Sequence, residues 1–138
     1  MTKDYEELKQ ITKETSKMLF GEPAKNVGED VAQGAFALWK EFDPELAKHI
    51  SMFYSGRLYS REVISQKQRE LCAVASLTAL DKPAELRAHI RAAMNVGATK
   101  DEVAEVIFQQ CTYAGVPCMV EGLRSLKEVL DADAAANA

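Results

Sequence analysis

No stretch of this sequence stays apolar for long. The longest such run, Leu71 to Leu80, is interrupted by Ser76 and Thr78 and is far too short to span a bilayer. The first residues, Met1-Thr2-Lys3-Asp4-Tyr5-Glu6-Glu7, are polar and acidic with no apolar segment behind them. Neither a signal peptide nor a membrane partner is therefore expected, and the cytoplasm is the expected compartment. Basic tracts are missing too. Lys and Arg lie scattered among acids and the net charge is −4, which argues against nucleic acid or an anionic membrane as partner. Cys72, Cys111 and Cys118 form no C-x-x-C pair and no His/Cys cluster with metal-ligand spacing, so they read as buried, small apolar thiols and no metal is expected. Period-2 strands, hairpin turn signals and a glycine-rich phosphate loop are likewise absent.

What is present is helical patterning in an ordinary globular composition, with 47% hydrophobic and 28% charged residues. The length, 138 residues, predicts a single domain over 1–138, small enough that oligomers are common. The fold class expected is all-α, with about six to seven helices. Asp4 to Phe20 carries Leu8, Ile11, Met18 and Leu19 at helical spacing and stops at Gly21-Glu22-Pro23. A second helix spans about Val27 to Phe42, with Val31, Ala35, Leu38 and Trp39 on one side. Asp43-Pro44 reads as a cap and first-turn proline opening a third helix through Leu46, Ile50, Phe53 and Tyr54.

Ser65-Gln66-Lys67-Gln68 has capping-box form ahead of Leu71 to Leu80, and Pro83 opens the next helix after the break at Asp81-Lys82. Gly97 is a candidate C-cap of that helix, and Thr99-Lys100-Asp101-Glu102 is a second capping box. Its helix runs through Val103, Val106, Ile107 and Gln110 toward Tyr113. Gly115-Val116-Pro117 breaks it, and a last helix carries Val120, Leu123, Leu126 and Leu130 before a frayed tail, Asp131 to Ala138. Trp39, Phe36, Met52 and Phe53 read as core or subunit-interface groups, and His49 as a surface residue near a helix C-terminus.

The chemistry concentrates in Glu85-Leu86-Arg87-Ala88-His89-Ile90-Arg91. As a helix this sets Glu85 and His89 one turn apart on one face, with Arg87 and Arg91 at the same spacing on an adjacent strip. An acid, an imidazole and two guanidiniums so placed can bind a small polyanion and move a proton on it; the same spacing also suits a solvated face of i,i+4 ion pairs. The segments from Ser65 to Gly97 should form an antiparallel helical hairpin about Asp81. That hairpin lets Glu70 approach His89 and hold one imidazole nitrogen while the other trades a proton.

At these residues the chain resembles the carboxymuconolactone decarboxylase family, whose helical hairpin core is of the alkylhydroperoxidase-D-like type. The similarity rests on Arg69, on Glu85-Leu86-Arg87-Ala88-His89-Ile90-Arg91-Ala92-Ala93, on Asn95-Val96-Gly97-Ala98-Thr99-Lys100-Asp101-Glu102-Val103, and on Tyr113-Ala114-Gly115-Val116-Pro117. Upstream it weakens. Tyr59-Ser60-Arg61 stands where the family often has Trp-Thr-Arg, Glu62-Val63-Ile64 replaces Pro-Gly-Leu, and Ser55-Gly56 replaces a Trp-Gly pair.

The resemblance implies a ring-like homo-oligomer, a hexamer or trimer. It also implies cofactor-free loss of CO2 from a carboxylated muconolactone in the β-ketoadipate route of aromatic catabolism, with a small anionic molecule as substrate. In that reading His89 donates the proton and Glu85 or Glu70 orients it. Arg69 and Arg91, with Arg61 as a third, hold substrate carboxylates, and Tyr113 donates to the lactone or lines the pocket.

Two other functions fit the same fold. The related thiol peroxidases have a pattern similar to Glu, then Cys-x-x-Cys-x-x-x-His. Laid on this chain from Glu70 to His89, its cysteine positions fall on Lys82 and Glu85, so the usual disulfide relay has no thiols. A non-catalytic binding protein is the third reading, because fold alone does not confer function.

Overall fold

The computed structural model describes residues 4–21 and 31–138, and every described element is helical. They fall into two compact units that meet in sequence at Ser65 and Gln66. Among the described residues there are seven α-helices of two turns or more, within the number the patterning predicts.

The N-terminal unit holds α1 (Tyr5–Phe20), α2 (Val31–Phe42), α3 (Pro44–Ser51) and a π-helical stretch, Met52–Leu58. Asp4 caps α1 by accepting from the Glu7 amide, and Asp43 caps α3 by accepting from Glu45 and Leu46, with Pro44 in the first turn. The buried stripe of α1 is Leu8, Thr12, Thr15 and Leu19; Met18, expected on it, is exposed because it lies a quarter turn off that line. The third helix does not continue regularly through Phe53 and Tyr54, as its spacing predicts, but widens into the π turn. Ser16 donates to Ser55 across the α1–π contact at 2.9 Å. The expected start of α2 at Val27 lies outside the described residues, Leu38 on its predicted apolar side is exposed, and His49 is exposed in the last turn of α3.

The C-terminal unit comprises α4 (Gln66–Ala79), α5 (Pro83–Asn95), α6 (Lys100–Gln109), the one-turn α7 (Cys111–Ala114) and α8 (Val116–Ala136). Its core is Val74, Leu86, Ile90, Ala93, Ala98, Val103, Ile107, Leu126 and Val129. Helix α4 ends in a Schellman arrangement: the Lys82 amide reaches the Leu77 carbonyl, the Asp81 amide reaches Thr78, and Asp81 takes a positive φ of 53°. Asp is one of the few side chains that tolerate that conformation, so Asp81 turns the chain directly into α5.

The end of α5 repeats the device with Gly97 at φ 100°, its amide on Met94 and that of Ala98 on Ala93. Thr99 and Glu102 then close the expected capping box of α6. Helix α8 crosses α4 and α6 at Gly122, where a Cβ would stand 2.7 Å from Ile107 Cγ2 and 2.9 Å from Thr78 Cγ2.

The C-terminal tail corrects its sequence reading. Asp131 to Ala136 is helical, not frayed. Alanine has the best helix propensity, Lys127 pairs with Asp131 one turn on, and the Asn137 amide donates to the Asp133 carbonyl at 2.9 Å.

Candidate functional site

Helix α4 buries Glu70, Val74 and Thr78, one residue per turn on one face. A carboxylate in that stripe is costly: removing an ion from water costs several kcal/mol even after relaxation, unless a partner offsets it. Glu70 is fully buried, at 0% exposure, and its partner is His89. The Nδ1 of His89 lies 2.7 Å from Glu70 Oε2, while the imidazole side chain keeps 15% of its surface exposed. The tight Asp81 turn creates this register by folding α5 back along α4. Glu70 Oε1, equally buried, has no hydrogen-bond partner among the described residues.

The pair is a buried carboxylate gripping one nitrogen of a partly accessible imidazole. With Nδ1–H donating to Oε2, the tautomer is set and Nε2 is the nitrogen that can take up or release a proton. That is the minimum equipment for general acid–base work.

Other residues that the sequence brings forward take varied positions. Glu85 is exposed in the first turn of α5, where its charge suits the helix dipole. Arg69 is half-buried beside Glu70 at the start of α4. Arg91 is half-buried with its Nε 3.8 Å from Asp133 on α8, and Arg87 pairs with Glu128 on the same helix at 3.1 Å. Both guanidiniums therefore reach toward α8. Glu128 and Asp133 were not anticipated as partners; the signal lay in a continuing helical pattern that the tail composition obscured. Tyr113 is 74% exposed on α7, and Arg61 is exposed in the N-terminal unit.

The cysteines also depart from expectation. All three are free thiols, with Cys72 exposed and Cys111 and Cys118 half-buried, so none is a buried core group. Cys72 points outward because it sits between the buried turns at Glu70 and Val74. Among the described residues no group of His, Cys, Asp and Glu side chains converges to hold a metal ion. No described helix is long and apolar enough to cross a membrane.

At the far end of the hairpin, Lys67 on α4 reaches the capping-box residue Glu102 at 2.6 Å. Hydrogen bonding from the Lys67 ammonium and from the Thr99 amide holds the Glu102 carboxyl below its ordinary value of 4.5. This ties the starts of α4 and α6 together.

Comparison with known proteins places these features in a lineage. The Carboxymuconolactone decarboxylase family profile matches residues 44–128. A 4-carboxymuconolactone decarboxylase of Acinetobacter baylyi is 37% identical over 89 residues, covering 64% of this chain and 66% of that protein. An uncharacterized 15.0 kDa protein of Paracoccus denitrificans is 34% identical over 89 residues, 62% of this chain and 66% of its own length. A nitrosuccinic acid decarboxylase of Metarhizium robertsii is 29% identical over 68 residues, 49% of this chain and 48% of that protein. The chain thus spans just under two thirds of the first two relatives and about half of the third.

Proposed function

The chain belongs to the carboxymuconolactone decarboxylase family, and on that premise we propose that it is a cofactor-independent carboxy-lyase. Its substrate is 4-carboxymuconolactone or a related unsaturated lactone or keto acid of aromatic catabolism. Two relatives bear decarboxylase names, for a carboxymuconolactone and for nitrosuccinic acid, and both names describe carboxylated acids that lose CO2. The family match crosses the junction between the two units, which supports one domain over 1–138. We place the protein in the cytoplasm as a homo-oligomer, a hexamer or trimer.

The observation that carries this reading is the buried Glu70–His89 pair. Cleavage of the bond to the departing carboxylate leaves its electron pair on the adjacent carbon, where the unsaturated carbonyl system delocalises it as an enolate. His89, protonated on Nε2 and held at Nδ1 by Glu70, delivers that proton to carbon. The imidazole is then neutral and regains a proton from solvent through its exposed edge. Glu70 positions the ring by holding its Nδ1 at 2.7 Å. Arg69 and Arg91 are the cations assigned to the substrate's carboxylates, because guanidinium grips a carboxylate bidentately. Glu85 supplies a further charge on the same helix as His89.

The test is consumption of 4-carboxymuconolactone by purified protein, followed by absorbance and by CO2 release, with no metal or thiol added. Stoichiometric CO2 is the expected result. Absence of turnover on this lactone and on related β-keto and vinylogous acids would overturn the proposal.

A further inference from the structure

The first turn of α4, Gln66-Lys67-Gln68-Arg69, holds two cations and no acid. A helix N-terminus already carries partial positive charge, so both cations oppose the helix they belong to. The next residue is Glu70, whose carboxylate meets His89 Nδ1 at 2.7 Å. Side chains on a helix lean toward its N-terminus, so that carboxylate lies over the turn which the charges loosen. The compensating acid comes from α6. Glu102 Oε1 takes the Lys67 ammonium at 2.6 Å, while its Oε2 accepts from the Thr99 amide at 2.8 Å. The Thr99 hydroxyl accepts in turn from the Glu102 amide at 3.1 Å. One carboxylate thus serves two helix starts, each with its own oxygen.

An exposed ion pair ordinarily contributes little, because two long side chains must be ordered to form it. Here the capping box has already fixed Glu102, so only Lys67 remains to be ordered. Geometry is also more demanding than stability: a misplacement of about 1 Å at a reacting group can cost on the order of 100-fold in rate. We propose that Lys67 and Glu102 are positioning residues of the Glu70–His89 pair, holding the first turn of α4 so that Glu70 stands at the height His89 requires. The proposal rests on the reading of His89 as the proton donor. Neither side chain touches substrate; each acts through α4.

The experiment uses the full chain and has a readout apart from turnover. The sequence has two histidines, so the imidazole NMR signals of His89 can be read beside those of His49, exposed on α3, as control. Lys67→Met removes the ammonium and keeps the alkyl stem, with circular dichroism as the check on folding. In wild type the Nδ1 proton held by Glu70 should give a downfield signal. In Lys67→Met that signal should shift or be lost to exchange with water while His49 stays put, and Lys67→Arg should restore it. The kcat on 4-carboxymuconolactone should fall about three- to tenfold at similar KM in Lys67→Met and recover in Lys67→Arg. Glu102→Gln, which keeps an oxygen for the Thr99 amide, should do the same, and the double variant should be no worse than either single. A lower Tm with His89 signals and kcat unchanged would reduce the pair to a helix staple and overturn the proposal, as would additive effects in the double variant. A wild type that turns over no acid, but whose His89 signal follows Lys67, would overturn the decarboxylase reading and uphold the positioning role.

Discussion

The α4–α5 hairpin and the α6–α8 corner are built of the same kind of helix around one core, but they distribute charge in opposite ways. The hairpin takes an ionisable side chain, Glu70, to complete burial and meets it with His89. The corner leaves Phe108, Tyr113 and Val116 in the open and carries no charge at all. Each arrangement carries a cost: one takes a carboxylate out of water, the other leaves apolar side chains in it. A cost retained inside the fold points to chemistry, and a cost retained on its surface points to a partner.

The largest way to break the comparison is to remove the imidazole. His89→Ala should lower kcat for decarboxylation by roughly 10²–10⁴-fold, the usual share of a general acid. It should also cost about 3–5 kcal/mol of stability, because Glu70 would be left buried without its partner. His89→Gln sharpens the point. A side-chain amide can still donate to Glu70, so thermal stability should recover toward wild type while turnover stays lost. Full activity in either variant would remove His89 from the mechanism.

Next in size is the crossing that holds the core beneath both regions. Gly122→Ala places a methyl against Ile107 Cγ2 and Thr78 Cγ2, branched groups with little rotamer freedom, and should cost about 1–3 kcal/mol in chemical denaturation. An unchanged midpoint would show that α8 can shift without loss.

Arg91 reaches α8 and is also assigned to substrate, so it can be tested for both. Arg91→Ala should raise KM several-fold with a smaller change in kcat, as expected when uniform binding is lost. Asp133→Ala, which removes only the α8 partner, should leave KM near wild type. Equal effects from both would make Arg91 a staple between helices.

The smallest effect concerns Glu102. Its carboxyl is held below 4.5 by Lys67, so the pair stabilises the fold at pH values above the ordinary glutamate range. That contribution fades as pH falls through the lowered value. The Tm gap between wild type and Glu102→Gln should therefore be constant at neutral pH and close in acid. A gap that widens in acid would reverse the sign.

Most of the frame was legible in the sequence because its punctuation is local. Asp43, Gly97 and Thr99-Lys100-Asp101-Glu102 each satisfy backbone groups of their own helix ends, Pro83 opens α5 where a free N–H would have no helical partner, and all stand where the spacing put them. The hairpin likewise followed from a short break. Which glutamate meets His89 was not legible: Glu85 shares its helix and Glu70 does not, and only the register set by Asp81 brings Glu70 to 2.7 Å. The stripe of α1 was misjudged at Met18 because threonine hydroxyls can turn back to their own helix, as Thr12 does to Leu8, and so bury without a partner elsewhere. The cysteines were misjudged because small apolar residues carry no signal for which side of a helix faces the core.

The most direct test of the account is steady-state decarboxylation of 4-carboxymuconolactone by wild type and by Glu70→Gln, with circular dichroism confirming equal folding. The account predicts turnover by wild type, and in the variant a fall in kcat on the order of 10²-fold or more at similar KM, because the imidazole loses the carboxylate that fixes its Nδ1. Equal kcat in the two proteins would contradict it.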